Sequence, residues 1–359
     1  MSAFLSSLGL AEIVAGVMIV ALDAYVLTGG ADFGGGVWDL LARGPRRDAQ
    51  RALISRAIGP IWEANHVWLI VVVVVLFTGF PATFAALGTV LHVPLVLMLV
   101  GIVLRGSAFV FRSYGSREDA AQRRWGRVFA IASTATPFLL GTVVGTIASG
   151  NAGRALRRVA AVGGLAPFAE VYLTPWLAPF PLVVGAMALA LFAFLAAVYL
   201  ALAAEDAALR DDFRRRALGS AVAVFLTAGG ALAIAARHAP HVVARLLGTP
   251  LAIVLQLAIA ASAVTAIVAL WTRRWRLARM AAAAQVSLIL WGWVVVQYPW
   301  TIPGAQTIRG AAAPTVTLEL LLWGLAGGTV ILVPSLLFLY RTFATARVEP
   351  AAVSAREEG

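Results

Sequence analysis

Two charged residues interrupt long apolar stretches of the sequence, and they are the first candidates for chemistry. Glu63 lies within IGPIWEANHVWLI at positions 58–70, and Arg105 lies within LRGSAFVFR at positions 104–112. Charged side chains inside a membrane span are costly and usually face the protein interior. A carboxyl group held away from water tends to be protonated unless it is paired or hydrated, as a proton relay requires. Glu63 is therefore a candidate proton carrier; the alternative is a structural acid bonded to a neighbouring helix.

The depth of Glu63 depends on where its helix begins. If the helix starts near Ile54, Glu63 lies about 14 Å from the helix end, at a rise of about 1.5 Å per residue. Pro60 offers an alternative, because a proline can kink or begin a helix. Glu63 would then lie closer to the membrane surface, in a wide opening at the end of the helices.

His66 and Arg105 are the side chains expected near Glu63. His66 follows by three positions, so it shares a helix face with Glu63 and could extend a relay or ligate haem. A single histidine among aromatic residues is more often hydrogen-bonded structure. A tight hairpin around Pro81 would place Arg105 at a depth similar to that of Glu63, which predicts a pair, direct or through water. The alternatives for Arg105 are backbone carbonyls or a partner subunit.

Asp32 stands in the glycine-rich segment GGADFGGGVW at positions 29–38. A nucleotide-binding loop is rejected, because no strand precedes the glycines and no Gly-Lys-Ser/Thr follows. Glycines at these positions instead allow close backbone approach. Asp32 would then cap the next helical stretch or hold a neighbouring chain. Trp62, Asn65 and Trp68 are further structural or interface candidates.

The composition identifies the elements that must position these residues. The chain is 61% hydrophobic and only 13% charged, with mean hydropathy +0.89. Soluble domains have about half apolar and a quarter charged residues, so the excess apolar surface must face lipid. The apolar runs are too long and continuous for barrel strands. The sequence therefore predicts an all-α, polytopic integral membrane protein with nine helices, near 8–28, 54–80, 86–111, 125–148, 177–203, 217–237, 250–271, 276–298 and 317–343.

The distribution of arginine predicts the orientation. The net charge is +11, and all 28 basic residues are arginine. The connections after spans one, three, five and seven, with the C-terminal tail, hold 21 of them. The positive-inside rule places these connections in the cytoplasm, the N-terminus outside and the C-terminus inside. Because the arginines cluster between apolar segments, topology explains the basic charge and a nucleic-acid partner is not expected.

The predicted organisation is a single transmembrane domain over 1–343 and a short polar cytoplasmic tail over 344–359. Two four-helix bundles plus one helix would suit nine spans. The outer connections 149–176 and 299–316 are long enough to carry structure. The sequence has no cysteine, which excludes disulfides and thiolate ligation of iron–sulfur clusters or haem, and none of the four histidines forms an obvious ligand pair.

Several of these segments together resemble subunit II of cytochrome bd-type quinol oxidases. The resemblance is carried by positions 29–38, 58–70 and 104–112, by LFTGFP at 76–81, and by YPWTIP at 298–303. It is specific through about residue 150 and rests on helix layout beyond that. The motif position held here by Glu63 is Asp in several relatives, whereas the position of His66 is often Gln.

The resemblance implies a haem-free subunit in the bacterial inner membrane. The family enzyme oxidises quinol, reduces oxygen to water and takes protons from the cytoplasm. Its three haems and its quinol-oxidation site are carried by subunit I, the expected partner. Subunit II contributes to a proton pathway, and Glu63 occupies its acidic position. No cofactor is expected in this chain, although a structural quinone and small accessory membrane subunits stay open.

Two other classes of function remain as alternatives. A secondary transporter would use Glu63 and Arg105 to bind a solute or coupling ion, and inverted repeats would favour it. No convincing internal repeat is found. A purely structural assembly subunit is the other possibility.

Overall fold

The computed structural model describes residues 9–58, 62–114, 119–162 and 166–345, and within these ranges nearly all of the chain is helical. The elements are α1 (Leu10–Leu40), α2 (Arg47–Ile58), α3 (Trp62–Gly79), α4 (Pro81–Val90), α5 (His92–Tyr114), α6 (Asp119–Ala148), α7 (Asn151–Val162), α8 (Phe168–Tyr172), α9 (Thr174–Leu177), α10 (Pro179–Ala203), α11 (Ala207–His238), α12 (Pro240–Gly248), α13 (Pro250–Trp271), α14 (Trp275–Gln297), β1 (Trp300–Ile302), β2 (Gln306–Thr307), α15 (Ile308–Ala311) and α16 (Thr315–Thr345). The all-α prediction is confirmed for this part of the chain.

Eight described helices are long and apolar enough to cross a membrane, namely α1, α5, α6, α10, α11, α13, α14 and α16. A ninth span is possible in α3 and α4 together, which are bent by 113° at Phe80. The prediction of about nine spans is thereby confirmed, whereas the arrangement in two four-helix bundles stays a prediction. The predicted tail lies almost entirely in 346–359, outside the described residues.

Helix α1 continues well beyond the predicted end at residue 28. The glycine-rich segment is helical and packs closely against α10. A Cβ atom on Gly34 would lie 2.0 Å from the backbone oxygen of Phe192, so only glycine permits this approach. The lower helix propensity of glycine, about 1 kcal/mol per residue relative to alanine, is offset by packing that the local sequence does not reveal.

A Gly34→Ala substitution is therefore expected to destabilise the protein strongly. Its methyl group would overlap the α10 backbone, and forcing extra atoms into a packed interior costs about 1–3 kcal/mol or more. Gly16→Ala in the same helix is the matched control, because nothing lies within 4 Å of its added Cβ atom. Thermal unfolding in detergent should show a lower transition temperature for Gly34→Ala only. Equal transition temperatures for the two variants would contradict the close contact.

The predicted tight hairpin between the second and third spans is wrong. Helix α4 separates them, and Pro81 is its first residue. The second predicted span covers the last part of α2, which is described to Ile58, and α3, which is described from Trp62, with 59–61 outside the described residues. Helix α3 packs mainly on α1, while α5 packs on α6.

Polar contacts join the connections in two groups, one at each end of the long helices. At the arginine-rich end, Arg46 donates to both carboxylate oxygens of Asp212 at 2.7 Å, and Arg112 pairs with Asp39 at 3.1 Å. At the other end, the Thr83 hydroxyl lies 2.9 Å from that of Thr301. The grouping agrees with the predicted alternation of connections. Which end faces the cytoplasm stays a prediction.

The two long connections at the second end carry structure, as predicted. The first contains α7, α8 and α9, which pack on one another. The second contains an antiparallel hairpin of β1 and β2, followed by α15. The hydrophobic core centres on α10, whose residues from Leu191 to Ala201 are almost all buried.

Candidate functional site

A buried polar contact joins α1 to α3. Asp32 is 4% exposed and Asn65 is fully buried. The Asn65 side-chain amide donates a hydrogen bond to Oδ2 of Asp32. Because Asp32 lies inside α1, the prediction that it caps a following helix is wrong. It holds a neighbouring helix of the same chain instead.

Arg105 lies next to this contact, in the interior. It is 1% exposed, and its guanidinium carbon is 4.6 Å from the centre of the Phe33 ring and 5.6 Å from that of Phe129. Its Nε and Nη2 atoms donate to no acceptor among the described residues. Asp32 interacts electrostatically with it, without a direct salt bridge. The cation is therefore stabilised by aromatic rings and by a nearby carboxylate.

The predicted direct pair of Glu63 and Arg105 is not formed among the described residues, and a pair through water stays a prediction. No salt bridge joins these two described side chains, and the carboxyl group that interacts with Arg105 is that of Asp32. The prediction assumed a direct α3–α5 hairpin, but α1 supplies Asp32 and Phe33 to the environment of Arg105. Arg105 consequently faces α1 and α6.

Glu63 and His66 share a face of α3, as predicted. Both line a cavity of about 580 Å³, whose other wall consists of α5 residues including Val103, Gly106 and Ser107. Glu63 is exposed and is the second residue of α3. The predicted depth of about 14 Å assumed a helix that begins near Ile54, and with 59–61 outside the described residues this depth stays a prediction. The position of Glu63 in the first described turn of α3 favours the shallower alternative.

His66 connects this cavity to the interior. Its ring centre lies 6.0 Å from that of Tyr25 and 6.2 Å from that of Phe33, both edge-on. Since Phe33 also contacts Arg105, a continuous set of side chains runs from the cavity to the buried cation. We call Glu63, His66, Asp32, Asn65 and Arg105 the polar cluster.

The polar residues of α3 lie on two different faces of the helix. Glu63 and His66 face the cavity, whereas Asn65 faces α1. Trp68, three residues after Asn65, is partly buried and packs against the main hydrophobic core. The side chain of Trp62 lies outside the described part of the chain.

Sequence reasoning missed the aromatic surroundings of Arg105. Tyr25 and Phe33 are eight positions apart and both about 98% buried, so they face inward from one helix. An α1 helix predicted to continue through residue 40 would have indicated this shared face. Phe129 comes from α6, and no local pattern links it to Arg105.

Among the described residues, no group of three or more His, Asp or Glu side chains could hold a metal ion. Two further acids of α1 have other contacts. Asp23 interacts with Ser287 and Trp291 of α14, and Glu12 accepts a 2.5 Å bond from Arg309. The polar cluster combines carboxyl, imidazole, amide and guanidinium groups from α1, α3 and α5.

The fold and the cluster define a polytopic helical membrane protein with buried, interacting acid, amide and guanidinium groups. The family model for cytochrome bd terminal oxidase subunit II matches residues 10–343. The chain belongs to this family, which confirms the family resemblance of the motifs.

Individual relatives match over shorter segments. The chain is 31% identical over 105 residues to cytochrome bd ubiquinol oxidase subunit 2 of Bacillus subtilis, which is 29% of this chain and 30% of that protein. It is 29% identical over 131 residues to cytochrome bd-I ubiquinol oxidase subunit 2 of Escherichia coli strain K12, and this segment is 36% of this chain and 34% of that protein. These matches span about a third of the length of the relatives.

The similarity of the fold extends much further. A chain in the structure of the bd oxidase from Geobacillus thermodenitrificans aligns with a TM-score of 0.75 and 21% identity, covering 93% of this chain and 98% of that one. At 21% sequence identity, this match is evidence for the fold of the chain alone.

Proposed function

We propose that this chain is the haem-free second subunit of a quinol:oxygen oxidoreductase in the bacterial inner membrane, paired with a haem-bearing subunit I. Membership of the bd oxidase subunit II family is the observation that carries the proposal. Oxidation of quinol and reduction of oxygen to water take place at centres in the partner. The N-terminus lies outside and the C-terminus in the cytoplasm, as the arginine distribution favours.

The role of this chain in the reaction is proton uptake. Glu63 stands at the arginine-rich end, in the first turn of α3, beside a cavity open to the surroundings. Its carboxylate accepts a proton from water at the cytoplasmic surface and releases it toward the complex interior. A shallow, hydrated carboxyl group can adopt both protonation states, as an entry point requires.

His66 and the rest of the cluster support this entry point. His66 lies one helical turn inward from Glu63 and touches Tyr25 and Phe33. Asp32, Asn65 and Arg105 fix α1, α3 and α5 relative to one another, so that the cavity keeps its walls. Arg105 is therefore a positioning residue, and His66 extends the route of Glu63.

Co-purification tests the proposal. A tag on this chain should recover a haem-bearing integral membrane subunit, with haem absorption bands in the purified complex. Expressed alone, the chain should show no haem bands and should be much less stable, because its polar and apolar interface residues lack their partner. A stable chain that purifies without a haem protein and drives solute uptake into vesicles would contradict the proposal and favour the transporter.

A further inference from the structure

Three arginines occupy one short helix at the end that lacks the arginine-rich connections. Arg154, Arg157 and Arg158 all lie in α7, and the connections at that end hold only six arginines in total. The positive-inside bias disfavours arginine there. Because these residues run against the bias, they are candidates for a local binding function.

A second cavity of about 360 Å³ lies beside α7. Phe180 contributes an apolar wall, and the polar lining consists of Ser149, Asn151, Arg154, Arg158, Glu170, Thr174 and His238. The volume is within the range of about 300–1,000 Å³ typical of ligand pockets. The cavity draws its donors from α7, α9 and α11, so it is a built site with several converging elements.

Hydrogen bonds hold these donors in place. Arg154 donates to the backbone oxygen of Ser149 at 3.3 Å and to the side-chain oxygen of Asn151. Asn151 in turn donates to the backbone oxygen of Pro175 at 2.8 Å. The guanidinium has five N–H donors in a planar fork, so donors beyond these two bonds remain for a ligand.

The charge of the cavity favours an anion. Arg158 is already paired with Glu170 at 3.3 Å, which leaves the charge of Arg154 in excess. Partial burial and the neighbouring Arg157 lower the pKa of the Arg154 guanidinium, so its cationic form is held at a cost. A bound anion would offset both unfavourable effects, because its charge stabilises the cationic form of Arg154.

The surroundings indicate where such an anion comes from. Phe168 is 57% exposed and lies two positions before Glu170, while Leu177 is 47% exposed and lies two positions after Pro175. A basic site with exposed apolar side chains on the same short helices suits the boundary between headgroups and acyl chains. A freely soluble anion would need no apolar border.

We propose that the α7 cavity binds the phosphate group of an anionic membrane lipid, with Arg154 as its principal donor. The site goes beyond the proposed oxidase function and does not depend on it. It anchors the connection between α6 and α10 to the membrane surface on the side away from the arginine-rich connections.

Lipid binding to the purified protein, with whatever partner accompanies it, tests the site. After delipidation in detergent, phosphatidylglycerol should bind and raise the thermal transition, whereas inorganic phosphate at the same concentration should not. Arg154→Gln should weaken phosphatidylglycerol binding about tenfold, as expected for loss of a charge-assisted hydrogen bond. Arg237→Gln is the matched control, because Arg237 is exposed at the end of α11 and does not line the cavity.

Two results would overturn the proposal, and a third would do so if Arg154→Gln does not assemble. Equal phosphatidylglycerol affinity in the wild type and Arg154→Gln would exclude Arg154 as the donor. Displacement of the lipid by equimolar inorganic phosphate would identify a soluble anion and refute the lipid assignment. Arg158→Gln leaves the contacts of Arg154 with Ser149 and Asn151 intact, so it replaces Arg154→Gln if that variant fails to assemble. Undiminished lipid binding by Arg158→Gln would then count against the cavity.

Discussion

The double variant Asp32→Asn/Arg105→Leu is expected to be more stable than either single variant. Both side chains are at least 96% buried, and each is the charged group that balances the other. Removing one partner of a buried pair leaves an uncompensated charge, which typically costs about 3–5 kcal/mol. Replacing both leaves no such charge, so the second substitution should recover much of the loss from the first.

Two opposing effects on Arg105 determine how much stability each single variant loses. Its Nε and Nη2 atoms lack described acceptors, so burial of the guanidinium is already expensive. Arg105→Leu relieves that cost but leaves Asp32, among the described residues, with the amide of Asn65 as its hydrogen-bond donor. Asp32→Asn leaves the buried cation with the rings of Phe33 and Phe129. We therefore expect Asp32→Asn to be the more damaging single substitution.

A double-mutant cycle in detergent, followed by thermal unfolding, measures this coupling. Asp23→Asn is the matched control, since Asp23 lies on the same helix but interacts with Ser287 and Trp291 of α14. Its effect should add to that of Arg105→Leu. Additive losses for the Asp32 and Arg105 substitutions would show that the two groups do not stabilise each other.

The sequence predicted the class of fold because membrane insertion leaves a strong local signal. Each span needs about 20 apolar residues, and that requirement is visible without tertiary information. The ends of the helices were less predictable. The segment 29–40 of α1 appeared to be a glycine-rich connection, because the Phe192 backbone that makes glycine necessary lies on α10, far away in sequence.

The sequence predicted which residues belong to the candidate site better than it predicted which of them contact one another. Glu63 and His66 share a face because helical periodicity is local. The interaction of Arg105 with Asp32 was not predicted, because α4 stands between α3 and α5 in the chain and Asp32 comes from α1. Asn65 was predicted as a structural candidate, but its hydrogen bond to Asp32 was not predicted, because that bond joins two different helices. Contacts between helices are tertiary properties, and a single sequence does not encode them in a local pattern.

Glu63→Gln is expected to slow quinol-driven oxygen reduction by about tenfold or more, because general acid–base groups typically contribute about 10²–10⁴ to a rate. The amide keeps the shape and much of the hydrogen bonding of the carboxyl group but cannot take up a proton. Assembly and haem content should stay normal, since Glu63 is exposed and forms no described salt bridge. Proton uptake by proteoliposomes should fall in parallel with turnover.

Two further variants separate proton transfer from a structural effect. Glu63→Asp should retain much of the activity, because it preserves a titratable carboxyl group beside His66. Glu319→Gln is the matched control, because Glu319 is an exposed acid near the start of α16 and does not line the Glu63 cavity. It should leave turnover unchanged. Oxygen consumption and the pH change outside proteoliposomes are recorded together. If Glu63→Gln consumes oxygen and takes up protons at the wild-type rate, Glu63 is not the entry point, and protons reach the complex by another route.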